Sequence, residues 1–182
     1  MKIWYDKGVE KVLNVEAFAD FVQKSYSELS RLDYYYPFVA DVPTIAICYD
    51  FYGSQVMQEV YQGKKMDLTI EWLDFYYLYE QNTIIVNLRN ILGFSNPENK
   101  IEAFRESLIH DTFSMLFVII TARNNKIRKS LSIGNYLGDS DVSRKLKRFM
   151  KQESNLQLCN NIVKKDIKDN IFKKYCMCEK TS

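Results

Sequence analysis

Residues 95–137, SNPENKIEAFRESLIHDTFSMLFVIITARNNKIRKSLSIGNYL, decide how the rest of the chain is read. Asn96 can cap a helix, Pro97 suits the first helical position, and Ile101, Phe104, Leu108, Met115 and Ile119 follow at steps of three and four. The spacing predicts a long helix that ends near Asn124. The same stretch holds the single histidine of the chain, His110, and its first basic cluster.

Working outward toward the C-terminus, a shorter helix has Asp141 as its cap, with Val142, Leu146, Phe149 and Met150 apolar beside Arg144, Lys145, Lys147, Arg148 and Lys151. A final helix from about Asn155 to Tyr175 carries Leu158, Ile162, Ile167 and Ile171. Toward the N-terminus, Asn14 caps a helix built on Val15, Phe18, Val22, Tyr26 and Leu29, which should end before Pro37. A second helix is expected from about Asp67 to Leu92, with Trp72, Phe75, Tyr79, Thr83, Val86 and Asn90 on one face and Gly93 beyond its end. Between these two helices the period changes. Ile45, Ile47, Tyr49 and Phe51 alternate, which predicts a small β-hairpin over 44–62. A helix beginning at Pro43 would also align Ile45, Tyr49, Tyr52, Val56 and Val60, so the two readings compete. The resulting expectation is a mainly α protein: a compact helical bundle with a small hairpin at 44–62, one domain over 1–175, and a flexible tail over 176–182.

The chain has 182 residues, 47% of them hydrophobic and 14% aromatic, a composition that supplies a core and excludes a disordered chain. The N-terminal MKIWYDKGVEKVL lacks the uninterrupted apolar core of a secretory signal, and no apolar run approaches the roughly 20 residues that span a bilayer. Four cysteines, Cys48, Cys159, Cys176 and Cys178, then read as free thiols in a reducing compartment. A cytoplasmic protein without a membrane partner is expected. The net charge of +2 conceals a polarity, because residues 1–100 carry 9 Lys and Arg against 14 Asp and Glu, whereas residues 101–182 carry 16 against 9. The parts are therefore −5 and +7. Such an asymmetry suits a chain with one end facing a polyanion, or two halves that attract each other across the fold.

The series FRESLIHD, VIITARN and KSLSIGNYL resembles the central part of HEPN-type helical domains from bacterial abortive-infection and toxin systems, over about 40 residues. Catalytic members of that family are metal-independent ribonucleases that use an Arg followed within a few residues by a His, generally paired across a dimer. The resemblance implies Arg105 and His110, spaced as Arg105-Glu-Ser-Leu-Ile-His110, as phosphate stabiliser and general base in a homodimer. The chemistry suits them, since a base must withdraw a 2′-hydroxyl proton while a cation stabilises charge on the phosphate. On a regular helix, however, residues five apart point about 140° from one another, and Glu106, four before His110, is its more natural neighbour.

Other constellations lead less far. Cys176 and Cys178 with Cys159 lack a fourth ligand for zinc, and Asp139 and Asp141 are explained by a loop that caps the next helix, so no metal is expected. No Walker loop, dinucleotide fingerprint or nucleophile elbow is present, and no cofactor is expected. The basic clusters, Arg123, Lys126, Arg128 and Lys129, then Arg144, Lys147, Arg148 and Lys151, can track a phosphate backbone; the alternative is a solvated helix face. The functional expectation is a bacterium–phage conflict protein that acts on RNA or a ribonucleoprotein complex, either as a HEPN-like ribonuclease or as a non-catalytic, anti-CRISPR-type inhibitor of a guide-RNA effector.

Overall fold

Two short runs, TIAIC at 44–48 and TIIVN at 83–87, organise the protein. Each is apolar almost throughout and rich in β-branched residues, the pattern of a strand covered on both faces. The computed structural model describes residues 1–31, 41–66, 68–93, 100–132, 139–165 and 167. In it these runs form β2 (Thr44–Cys48) and β4 (Thr83–Asn87), paired in parallel with Ile45 opposite Ile84 and Ile47 opposite Val86. On the far side of β2 lies β1 (Ile3–Tyr5), also parallel; on the far side of β4 lies β3 (Phe75–Leu78), antiparallel, which in turn pairs with β5 (Leu131–Ser132). The five-stranded mixed sheet has the order β1-β2-β4-β3-β5.

Helices cover both faces. On one side Ile45, Ile47, Phe75, Tyr77, Ile84 and Val86 meet the apolar residues of α1 (Val15–Arg31), α4 (Lys100–Asn124), α5 (Asp139–Met150) and α6 (Glu153–Ile162). On the other, Ala46, Cys48 and Ile85 pack with Val56, Met57 and Val60 of α2 (Gln55–Tyr61) and with Ile70. Each fully buried Phe or Ile contributes about 1.5–3 kcal/mol relative to exposure, so both layers hold the sheet.

This α/β architecture corrects the expectation of a mainly helical bundle. The alternation at 44–48 marks a strand, but its partners are β1 and β4, and no hairpin spans 44–62. After β2 the chain turns through Gly53, at φ +90°, and enters α2, where the Ser54 side chain accepts the Met57 N–H at 3.1 Å. The expected helix over 67–92 is replaced by a 3-10 helix (Leu68–Trp72), β3, β4 and the short α3 (Leu88–Gly93). The run Thr83-Ile84-Ile85-Val86 is stiff at χ1 and favours a strand, while Asn82, at φ +47°, supplies the left-handed turn between β3 and β4.

Helical periodicity was more informative elsewhere. Asn14 caps α1 as expected, its Oδ1 accepting the Ala17 N–H at 3.2 Å. Helix α6 stops at Ile162, because the backbone at 162–164 is engaged by residues 12–14: Asn14 N donates to the Ile162 carbonyl at 2.8 Å and Lys164 N to that of Val12 at 2.9 Å; residues 168–175 of the expected helix, Ile171 and Tyr175 included, lie outside the described residues. Helix α5 begins at Asp139, which places Asp141 in its first turn rather than at the cap. Asn96, Pro97, Pro37 and the tail over 176–182 lie outside the described residues.

Helix α4 is buried on most of its circumference, with Phe104, Leu108, Phe113, Met115, Leu116 and Ile119 among its core residues, as befits a helix between a sheet and other helices. It ends at Asn124 in a Schellman motif: the Ile127 N–H bonds the Ala122 carbonyl at 2.8 Å and the Lys126 N–H that of Arg123 at 2.9 Å. Lys126 therefore occupies a left-handed position, φ +56°, that glycine adopts without a Cβ penalty. Lys126→Gly is expected to raise stability by about 0.5–1 kcal/mol in urea denaturation; a loss of stability would show that the lysine side chain outweighs the backbone strain.

Candidate nucleic-acid interface

The register of α5 is set from inside. Val142, Leu146 and Phe149 are buried, and the Phe149 ring meets Phe21 edge-on at 5.9 Å and Phe113 at 5.8 Å. Asn155 Nδ2 donates to the Phe149 carbonyl at 3.1 Å and fixes the end of the helix. With that face inward, Arg144, Lys147 and Arg148 share the exposed face of α5, and Lys151 is exposed in the turn that directly follows it. Arg144 reaches Asp141 at 2.5 Å yet keeps a side chain 79% exposed. No ion pair holds Lys147, Arg148 or Lys151 among the described residues. Lys145 is turned differently: it lies 3.8 Å from Asp141, and its ammonium stands over the Phe117 ring at 5.6 Å.

The other basic cluster divides. Lys126, Arg128 and Lys129 are exposed on the segment after α4. Arg123 faces into the fold, where its guanidinium donates to the Tyr26 hydroxyl at 2.5 Å, the Tyr77 hydroxyl at 3.0 Å, the Asp41 carbonyl at 3.2 Å and Asn82 Oδ1. Its fork joins α1, α4 and the β3–β4 turn, so its first role is structural.

Arg105 and His110 both lie on α4, in one continuous helix. Arg105 pairs with Glu102 and is close enough to Cys159 of α6 to oppose the rise in that thiol's pKa, which burial pushes up to about 11. His110 Nδ1 lies 3.1 Å from Asp111 Oδ1, on a different side of the helix from Arg105. Asp111 in turn faces the start of β3, where burial first, and the Asp111 carboxylate second, push Asp74 up to about 6. Asp74 stands opposite Asn87 across the β3–β4 ladder, and Asp74 Oδ1 and Asn87 Oδ1 are both buried without a hydrogen-bond partner among the described residues.

The sign of the Asp74 effect follows. Its folded-state pKa is raised above the ordinary 3.8, so the stability associated with its protonated form is full below about 4 and is lost as pH rises through about 6. Asp74→Asn is expected to flatten the pH dependence of stability over pH 4–6 and to stabilise the protein at pH 7 by about 1–2 kcal/mol, a figure discounted for partial solvent screening. Urea titrations across that range test this; an unchanged slope would contradict the assignment.

Neither thiol among the described residues is placed as a nucleophile, since burial pushes Cys159 up to about 11 and Cys48 up to about 12. Cys176 and Cys178 lie outside the described residues. Among the described residues no group of three or more His, Cys, Asp and Glu side chains is placed to hold a metal ion, and no helix is long and apolar enough to cross a membrane.

Sequence periodicity placed Trp72 on one helix face with Phe75, Thr83 and Val86, and the fold separates them among a 3-10 helix, β3 and β4. Trp72 is 74% exposed at the end of the 3-10 helix, with Leu68 and Tyr52 each 58% exposed. No spacing rule would have marked these positions, because their exposure depends on the strands that follow. No family model, no curated protein and no solved structure matches the chain.

Proposed function

We propose that the protein binds RNA, free or within a ribonucleoprotein complex, through the outward face of α5. The observation that supports this reading is the row Arg144, Lys147 and Arg148, continued by Lys151 just past the helix end, exposed and for the most part without carboxylate partners among the described residues, on a helix whose rotation is locked by Phe149. Four such cations meet successive phosphates and release condensed counterions, which makes affinity strongly salt-dependent. Lys126, Arg128 and Lys129 extend the charge beyond the helix. The protein acts by occupancy: it covers an RNA, or the guide RNA of an effector complex, in the manner of a conflict protein that blocks rather than cuts.

A labelled structured RNA, alone and loaded in a guide-RNA effector, tests this by fluorescence anisotropy followed by a denaturing gel. Salt-sensitive binding with intact RNA, equal for wild type and His110→Ala, is the expected result. RNA cut by wild type and spared by His110→Ala would instead favour the HEPN-like alternative, with Arg105 and His110 brought together across a homodimer. Absence of binding at low salt would overturn both.

A further inference from the structure

The first turns of α1 carry two exposed carboxylates, Glu16 and Asp20, four residues apart and therefore on one side of the helix. The segment that follows α6 carries two exposed ammonium groups, Lys164 and Lys165. These two pieces of chain are stitched together at their base. Leu13 and Val163 form an antiparallel bridge, flanked by the hydrogen bonds from Asn14 N to the Ile162 carbonyl and from Lys164 N to the Val12 carbonyl. Above the stitch all four charged side chains line one open cleft of about 610 Å³, within the roughly 300–1,000 Å³ of small-ligand sites. Its apolar floor includes Ala17 and Val163, 8% and 2% exposed, and the side-chain amides of Asn160 and Asn161 border it.

Opposite charges border the same space, yet none of the four forms an ion pair among the described residues. Each like-charged pair repels itself, so each gains from a counter-charge. A simple cation would meet the carboxylates and be repelled by the lysines, and a simple anion the reverse. A neutral molecule with a charge of each sign at its two ends meets both. Amides both donate and accept, as a peptide group does, and the apolar floor suits one aliphatic side chain.

We propose that this cleft binds a short peptide with free termini, its ammonium against Glu16 and Asp20 and its carboxylate against Lys164 and Lys165. The site stands apart from the RNA reading of α5. Because the backbone stitch already fixes the walls, little conformational entropy is lost on binding.

The test titrates the full chain with the tripeptide Gly-Leu-Gly, followed by amide shifts of Ala17 and Val163 in heteronuclear NMR. Saturable binding is expected, weakened about fivefold by N-acetylation and about fivefold by C-amidation, since each end loses two exposed partners. Glu16→Gln with Asp20→Asn should abolish the effect of N-acetylation and keep that of amidation. Lys164→Met with Lys165→Met should do the reverse. All four side chains are exposed, so the variants are expected to fold, and unchanged circular dichroism checks this. No saturable shift up to about 10 mM would overturn the proposal, that concentration being well above the Kd of even a weak small-ligand site. Equal affinity of the capped and free peptides would also overturn it, as would equally tight binding of spermidine or inorganic phosphate, which would make the cleft a plain ion site.

Discussion

Arg123→Ala is expected to destabilise the protein by about 2–4 kcal/mol, the largest effect of any single change considered, and to lower the thermal midpoint by roughly 6–12 °C. The guanidinium bonds Tyr26 on α1, Tyr77 on β3, Asn82 in the β3–β4 turn and the Asp41 carbonyl before β2. Truncation removes all four bonds together. It also leaves the Tyr26 and Tyr77 hydroxyls and Asn82 Oδ1 in a partly buried site with fewer donors, and an unmet polar group there costs more than the bond contributed. Arg123→Lys should recover only part of the loss, since an ammonium cannot reproduce a planar fork to several acceptors. Urea denaturation followed by circular dichroism measures the effect; a change below about 1 kcal/mol would show that the network is incidental. RNA affinity in this variant reports on surface charge only when measured well below its lowered midpoint.

The second large effect belongs to α5. Lys147→Glu combined with Arg148→Glu is expected to lower RNA affinity by about 100-fold at moderate salt, because two attractive phosphate contacts become repulsive. Both side chains are exposed and neither has an ion-pair partner among the described residues, so stability should change by less than about 0.5 kcal/mol per site. That separation matters, for a variant that loses RNA binding while keeping its fold assigns the loss to the surface. Lys145→Glu is a useful contrast. Its ammonium is engaged by Asp141 and the Phe117 ring, so reversal there should disturb packing more than it alters the outward field.

What could be read from residue pattern alone depended on how many faces an element buries. Asn14 and the spacing of Phe18, Val22, Tyr26 and Leu29 located α1, which buries one stripe, and the end of α4 at Asn124 was legible from its apolar steps. β2 and β4 bury both faces; β2 could be read from its alternating Ile45 and Ile47 but also fitted a helix from Pro43, and Thr83 to Val86 of β4 could be fitted to a helix whose face also took in Trp72. Pairing decided the matter. β2 is a strand because β1 and β4 flank it, and those partners are distant in sequence. The site followed the same rule. The exposed cations of α5 were legible from its amphipathic pattern, whereas the inward turn of Arg123 and the outward turn of Trp72 follow from the sheet and could not be anticipated without it.

The central claim, that the outward face of α5 binds RNA, is tested most directly by one comparison: the slope of log affinity against log salt concentration for wild type and for Lys147→Glu with Arg148→Glu, on the same structured RNA. A wild-type slope of about −3 and a variant slope shallower by about 2 are expected if these two side chains neutralise phosphates. Identical slopes, with affinity lowered or not, would contradict the claim and place any RNA contact elsewhere on the protein.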